Sequence, residues 1–298
     1  MKLRTRSITT IATAALLLAA LPVHAQDAAR TVSFDGVGFS FDPVLGSSVN
    51  VTTVPAGPQD AEIPGGPDVP HVTFTLYGPK AEYARTPRVG DSDTTVRVYR
   101  VTDLAGNTFA AQQATDLAAL LGDRPDLAAT EVVNGQDGVQ ALPFLPAIPA
   151  SEAVHARGAY VDMPGMSGIT YMTAFRQDVS PFLHDDFQYT FQGLTTDGQW
   201  YISVEAIVDT TLFPAKLGPK AFNGIAKRWP AYLRKTMATL DGAQPTDFTP
   251  SLDVIDALIA SITVEGVPAS EPGPLASPAP SASPAPSASP APSASPAA

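Results

Sequence analysis

Histidine and serine are the residues of this chain that could support nucleophilic catalysis, and they are sparse. Beyond residues 1–25 the sequence holds only His71, His155 and His184, and it contains no cysteine. Such catalysis needs a base beside the nucleophile. The run Gly165-Met166-Ser167-Gly168 lacks the G-x-S-x-G spacing of a nucleophile elbow, and no parallel α/β pattern surrounds it. We therefore expect a structural turn there.

Two short acidic runs contain side-chain types that bind metal ions. One is His184-Asp185-Asp186 and the other is Asp91-Ser92-Asp93. Calcium accepts carboxylates from loops, but neither run has the glycine and terminal glutamate of an EF-hand loop. Asp residues also commonly end a turn before a strand. We predict no bound metal and keep His184, Asp185 and Asp186 as the metal-ligand candidates.

A dinucleotide cofactor is also not predicted. Gly36-Val37-Gly38 begins like a phosphate-binding fingerprint, but Phe41 takes the place of the third glycine and no helix follows. The two glycines indicate a bulge in a strand. No other cofactor motif is present, so we predict none, and no catalytic residue is assigned.

Paired carboxylates could still hydrolyse a glycoside, because their separation is set only by the fold. Glu205 alternates with Tyr201 and Ser203, on the side opposite to the apolar residues, so we expect it on a solvent-exposed face. Tyr99, Tyr171 and Tyr201 could lie on that same face and form a binding platform. Scattered surface aromatics are equally ordinary, and both interpretations stay open.

These residues are positioned by a predicted hairpin. Apolar and polar residues alternate over 187–192 and again over 200–206, and Asp197-Gly198 lies between the two runs. Asp and Gly tolerate the positive φ that hairpin turns need. One face of the hairpin is apolar and must be covered, whereas Gln188, Gln192 and Glu205 are expected to be exposed.

Periodicity predicts the remaining elements. Further strands are expected over 31–42, 48–54, 71–77, 94–101, 155–162 and 168–175. A first helix is expected to start after Asn107 or Thr108 and to end at Gly122. A second has a helical period over 222–240, with Pro230 as a kink or as its start, and a third begins at Thr249-Pro250. We expect the last two helices to cover the apolar face.

The first 25 residues have the features of a signal peptide. Lys2, Arg4 and Arg6 precede an apolar run over 8–21, and Val23-His24-Ala25 fits a cleavage site, so Gln26 would begin the exported protein. The apolar run is shorter than the roughly 20 residues that span a bilayer. We predict a secreted or periplasmic protein with no membrane span after signal cleavage.

Composition restricts the partners. Removing the signal peptide leaves 15 basic against 29 acidic residues, a net charge of −14. This balance argues against nucleic acid and anionic membrane surfaces, which favour basic proteins. An exported chain without disulfides must be stabilised by its core alone, which favours one sizeable domain.

The end of the chain has a different composition. Residues 281–286 read SASPAP, residues 287–292 repeat this sequence, and 293–298 read SASPAA. Such a segment cannot bury enough apolar surface to fold. We predict a disordered Pro/Ala/Ser-rich tail over 266–298, either a tether or a solubilising extension.

The run YTFQGLTTDGQWYISVEAIV, together with Gly168-Ile169-Thr170-Tyr171 and the earlier GVGFSFDPVLGSSVNVTTVPA, resembles a family of exported bacterial proteins of unknown activity. The resemblance covers most of the folded region and implies export and a single domain. A more distant likeness is to the Mog1/PsbP-like fold, an antiparallel sheet flanked by helices. Fold-level likeness implies no function.

The sequence thus predicts a signal peptide over 1–25 and one α+β domain over 26–265, with a mostly antiparallel sheet of about seven or eight strands and helices packed against it. The leading hypothesis is a noncatalytic exported binding or envelope-associated domain whose partner is unknown, possibly an envelope component. The first alternative is a secreted hydrolase using carboxylates with His184, which requires His184 beside a carboxylate in a deep pocket. The second is a structural or interaction protein, which requires a large exposed apolar patch.

Overall fold

The computed structural model describes residues 28–58, 66, 68–78, 94–128, 132–133, 136–137 and 141–267. The predicted signal peptide, the acidic run at 91–93 and residues 268–298 of the predicted tail lie outside the described residues.

The described chain forms strands and helices in the following order. The strands are β1 (Arg30–Phe34), β2 (Val37–Phe41), β3 (Ser48–Val54), β4 (His71–Tyr77), β5 (Thr94–Arg100), β6 (Val132–Val133), β7 (Gln136–Asp137), β8 (Ser151–Met163), β9 (Met166–Arg176), β10 (Phe187–Thr195), β11 (Trp200–Thr210), β12 (Phe248–Thr249) and β13 (Thr263–Val264). The helices are α1 (Val101–Leu104), α2 (Thr108–Asp123), α3 (Trp229–Asp241) and α4 (Leu252–Ala260).

The main sheet has eight antiparallel strands and confirms the predicted α+β class. Its order is β3-β4-β5-β11-β10-β9-β8, and β12 pairs with the end of β11. The first and last strands of the described chain form a smaller sheet in the order β1-β2-β13. None of the helices in the described ranges is long and apolar enough to cross a membrane.

The predicted hairpin is formed by β10 and β11, in the centre of the sheet. Gly198 has a φ of +69° in the turn, and Phe191 faces Val204 across the ladder. The apolar face is covered as predicted, because side chains of α3 and α4, including Leu240 and Ile255, pack in the same core cluster. Burial of this apolar face is the main contribution to the stability of the sheet.

The opposite face of the hairpin is also covered, which corrects the sequence prediction. Gln192 and Ser203 are fully buried, as is Tyr201, and Gln188 and Glu205 are only partly open. Helix α2 contacts β9 and β10 on this side, and residues 141–150, which we call the strap, cross the same face. The sheet therefore lies between two layers, each with its own core cluster.

Because this face is covered, the binding platform of three tyrosines is wrong. Tyr99, Tyr171 and Tyr201 are all buried in the second core cluster. Glu205 is not on a solvent-exposed face either: it is largely buried and forms an ion pair with Arg97. Burial raises the pKa of Glu205, and Arg97 opposes this shift.

Hydrogen bonds attach the strap to the sheet. Gln192 Oε1 accepts from Leu145 N at 3.1 Å and from the Tyr201 hydroxyl at 2.7 Å. The Ser203 hydroxyl donates to Leu145 O, and the Tyr171 hydroxyl donates to Pro143 O at 3.0 Å. Polar side chains can be buried here because these partners replace water.

The first predicted strand is in fact a hairpin. The chain turns at Asp35 and Gly36, with φ values of +51° and +78°, so 31–42 forms the two strands β1 and β2. The bulge predicted at Gly36-Val37-Gly38 is therefore wrong. Both turn residues have the left-handed backbone conformation that Asp and Gly tolerate, whereas in the turn at Asp197-Gly198 the positive φ belongs to Gly198.

Helix ends differ from the predicted positions by a few residues. Asn107 caps α2 as expected, accepting from Ala110 N, but the helix continues through Gly122 and ends where Arg124 is left-handed. Pro230 lies in the first turn of α3 and marks its start. The last helix begins at Leu252 and not at Pro250, because Thr249 is held in β12 against Asp209.

Candidate functional site

His184 lies beside a carboxylate, but at an open surface. Its Nδ1 is hydrogen-bonded to Asp209 Oδ1, and its side chain is 32% exposed. The backbone places it there: His184 N donates to Pro214 O, and Thr210 N donates to His184 O. The hydrolase hypothesis requires the His184 imidazole to lie in a deep pocket. In the structure this imidazole lies at an open surface.

The three metal-ligand candidates do not point to a common centre. His184 Nε2 lies 3.9 Å from Asp185 Oδ1, while Asp186 Oδ2 pairs with Arg176 and accepts from Leu183 N. Asp186 therefore holds the segment before β10 in place. Among the described residues, no group of three His, Asp or Glu side chains could hold a metal ion.

A second ionisable group, Glu152, is buried beneath the strap. Its side chain is 2% exposed, its Oε2 accepts from Leu142 N at 2.8 Å, and its Oε1 lies 3.0 Å from the Thr173 hydroxyl. Burial raises the pKa of Glu152 to about 8, against the opposing effect of these two hydrogen bonds. His155 Nδ1 lies 4.0 Å from Oε1 and has no hydrogen-bond partner in the described part of the chain.

Hydrogen-bond counting supports a neutral Glu152. The Thr173 hydroxyl also lies 2.9 Å from Val154 O, and a hydroxyl has a single hydrogen to donate. Both contacts are hydrogen bonds at once only if the Glu152 carboxyl is protonated and donates to Thr173. This cluster fastens the strap to β8 and β9 and is closed to solvent.

A cleft of about 520 Å³ that combines polar and apolar groups lies on the α3–α4 side of the sheet. It is built around an irregularity of β8, where the register with β9 shifts between Ala156 and Ala159. Arg157 lies in this bulge with a φ of +57°, which is uncommon for any residue except glycine. Bulges of this kind often re-aim side chains next to binding sites.

Arg157 joins the bulge to the end of α3. Its backbone N–H donates to Asp241 Oδ1 at 2.6 Å, and its Nη1 donates to Leu240 O and Ala243 O. A cation is favourable at these carbonyls because they are the negative end of the helix. The Arg157 guanidinium thus already donates hydrogen bonds within the protein, and these bonds do not depend on a ligand.

The polar groups inside the cleft come from β10 and α4. The Tyr189 hydroxyl donates to Asp256 Oδ1 at 2.9 Å, and Thr170 also lines the cleft. Val161 and Ile259 form part of its apolar wall. Partial burial raises the pKa of Asp256, while the bond from Tyr189 opposes the shift. A hydroxyl and a carboxyl facing an apolar wall can hold a small ligand that has one polar end.

Sequence reasoning did not find this cleft. Tyr189 was predicted as a core residue, which it is, since only its hydroxyl reaches the cleft. Asp256 lies on the polar side of α4, where acidic residues are common and do not by themselves indicate a binding site. Comparison with known proteins finds no family model that matches the chain and no curated protein similar to it. The resemblance to exported bacterial proteins therefore remains a prediction.

Proposed function

We propose that this protein is an exported, noncatalytic binding domain that holds a small ligand in the Asp256–Tyr189 cleft. The observation that carries the proposal is the convergence of Asp256, Tyr189 and Thr170 on a cleft of about 520 Å³ whose remaining wall is largely apolar. Ligand sites commonly combine an apolar cavity with a few polar groups that orient the ligand.

The cleft supports binding better than it supports catalysis. Asp241, the second carboxylate that lines it, accepts from the Arg157 backbone and is engaged in the fold. Hydrolysis of a glycoside requires two carboxylates that both face the substrate. No histidine lines the cleft, and His184 lies elsewhere at the open surface.

The test is to titrate the exported chain with hexylamine, hexanol or hexanoate. Binding is measured from changes in the NMR chemical shifts of the residues that line the cleft. Asp256 favours the amine and the alcohol over the carboxylate, because a carboxylate repels a like charge and accepts hydrogen bonds. We expect Asp256→Asn to weaken amine binding at least tenfold, since about 1.4 kcal/mol corresponds to a factor of 10.

Asp253→Asn is the matched control, because it removes the same charge from the same helix at a position that does not line the cleft. It should leave amine binding within about twofold of the unmodified chain. Equal effects of the two substitutions, or the absence of saturable shifts in the cleft with all three probes, would reject the proposed site.

A further inference from the structure

The basic residues of this acidic protein are concentrated in one segment. Six of its 18 lysines and arginines lie between 216 and 235, and no acidic residue occurs between Asp209 and Asp241. The members of this basic cluster are Lys216, Lys220, Lys227, Arg228, Arg234 and Lys235. The local charge is therefore opposite in sign to the net charge of −11 for the whole chain.

The basic cluster is displayed at the surface. All six residues are exposed: Lys216 lies in the loop after β11, Lys220, Lys227 and Arg228 lie on two short 3₁₀ turns, and Arg234 and Lys235 lie on α3. Within the described ranges, Lys216, Lys220, Lys227 and Lys235 form no salt bridge. Asp185 and Asp209 lie beside His184, whose backbone N–H donates to Pro214 O just before the basic cluster.

Apolar side chains are exposed among these cations. Leu212 is 38% exposed and Phe222 is 48% exposed. Leu212 lines a groove of about 390 Å³, whose other apolar lining residues include Phe182, Phe213 and Ile225. Arg228 and Lys235 line the same groove, so positive charge stands directly beside apolar surface.

Aromatic residues border this groove. Tyr232 lines it and stacks on Trp229 with ring centroids 5.5 Å apart. Its hydroxyl accepts from Phe182 N at 2.7 Å, so the hydroxyl hydrogen can be donated to an outside group. Tyr and Trp side chains combine an apolar body with a polar end and favour the interface between membrane and water.

From these observations we infer that the 212–235 surface binds the surface of an anionic lipid bilayer. Lysine and arginine are attracted to anionic lipid headgroups, while Leu212, Phe222 and the groove can bury acyl or glycerol carbon atoms. A nucleic acid duplex would contact the cations through its phosphates, but it offers no comparable apolar surface to the exposed leucine and phenylalanine. The observations therefore favour lipid.

The acidic remainder of the molecule does not prevent this contact. Charges in salt solution interact strongly only within a Debye length, about 8–10 Å at physiological ionic strength. Cations on one surface segment therefore act on a bilayer at that surface, while acidic residues on distant faces are screened. The surface is separate from the Asp256–Tyr189 cleft, since the two cavities share no lining residue.

The experiment is co-sedimentation of the exported chain with vesicles of phosphatidylcholine, with or without phosphatidylglycerol. We expect binding only to vesicles that contain phosphatidylglycerol, and we expect it to weaken as salt is raised. The double substitution K220Q/K227Q should lower the partition coefficient at least tenfold. The control R30Q/R100Q removes the same charge from two exposed arginines outside the basic cluster and should lower it less than twofold.

The variant L212S/F222S separates lipid from other polyanions. It should weaken vesicle binding severalfold and leave the modest retention of a double-stranded oligonucleotide unchanged, since a duplex contacts the cations through its phosphates. Equal binding to both kinds of vesicle, no binding to either, or equal losses for K220Q/K227Q and R30Q/R100Q would overturn the inference. So would an oligonucleotide affinity that matches vesicle affinity at the same salt concentration. Circular dichroism confirms that each variant is folded.

Discussion

Glu152 and His155 are two buried ionisable residues with opposite effects on the pH dependence of stability. Burial raises the pKa of Glu152 to about 8 and lowers the pKa of His155. The folded chain therefore keeps a proton on Glu152 that the unfolded chain loses above its ordinary pKa of 4.5. Below about 6.5 the unfolded chain gains a proton on His155 that the folded chain accepts only at lower pH.

The stability should rise as pH falls from about 8 to about 6.5. Below about 6.5 the proton that the unfolded chain gains on His155 should oppose the further rise due to Glu152. In the first window Glu152 contributes about 1 kcal/mol per pH unit to the free energy of unfolding. The measurement is urea unfolding at a series of pH values. A stability that increases steadily toward pH 8 would contradict the protonated state of Glu152.

Replacing Glu152 by glutamine should remove this slope and raise the stability at pH 8, since the amide is neutral and keeps the acceptor for Leu142 N. The matched control is Glu265→Gln on the exposed segment after α4. We expect the control to retain the slope of the unmodified protein between pH 8 and 6.5. The same loss of slope in both variants would assign the effect to another group.

Close packing between β9 and β10 limits the size of the side chain that two facing positions can hold. Gly168 of β9 and Gly193 of β10 face each other, and the ring of Phe191 lies over both positions. A Cβ atom at Gly168 would lie 2.4 Å from this ring, closer than van der Waals contact allows. Glycine is therefore required at both positions, because the Phe191 ring occupies the space that a Cβ atom would need.

Gly168→Ala should destabilise the protein by about 1–3 kcal/mol, the usual cost of overpacking a core. Gly122→Ala is the matched comparison, because Gly122 lies inside α2 with no atom within 4 Å of the added methyl group. This second change should stabilise by about 0.5–1 kcal/mol through the higher helix propensity of alanine. The urea midpoints of both variants measure these effects, and a neutral Gly168→Ala would show that Phe191 can move aside.

The alternation of apolar residues was sufficient to predict the seven longer strands of the main sheet, but it did not predict the short strand β12 or what covers the sheet. Val51, Phe74 and Ile202 alternate with polar neighbours, and the structure buries the apolar set as expected. Gln192 and Ser203 have the same pattern as solvent-exposed residues, but their partner, Leu145, lies far away in the sequence. Burial of such side chains depends on distant hydrogen-bond partners, which periodicity does not contain.

At the scale of the whole molecule, the net charge does not describe how charge is distributed over the surface. The net charge sums the basic cluster at 216–235 with acidic residues on other faces, so it hides a local excess of the opposite sign. The clustering itself is visible in the sequence. The Asp256–Tyr189 cleft cannot be recognised in the sequence, because β10 and α4 contribute residues that are 67 positions apart.

The bulges of β8 also affect how molecules meet one another. β8 is an outer strand of the main sheet, and its register with β9 shifts twice, between Glu152 and Val154 and between Ala156 and Ala159. These shifts interrupt the regular row of backbone groups that a foreign strand would need for pairing, and Arg157 is directed to the end of α3. The same irregularity that shapes the ligand cleft thus protects this edge against aggregation into extended sheets.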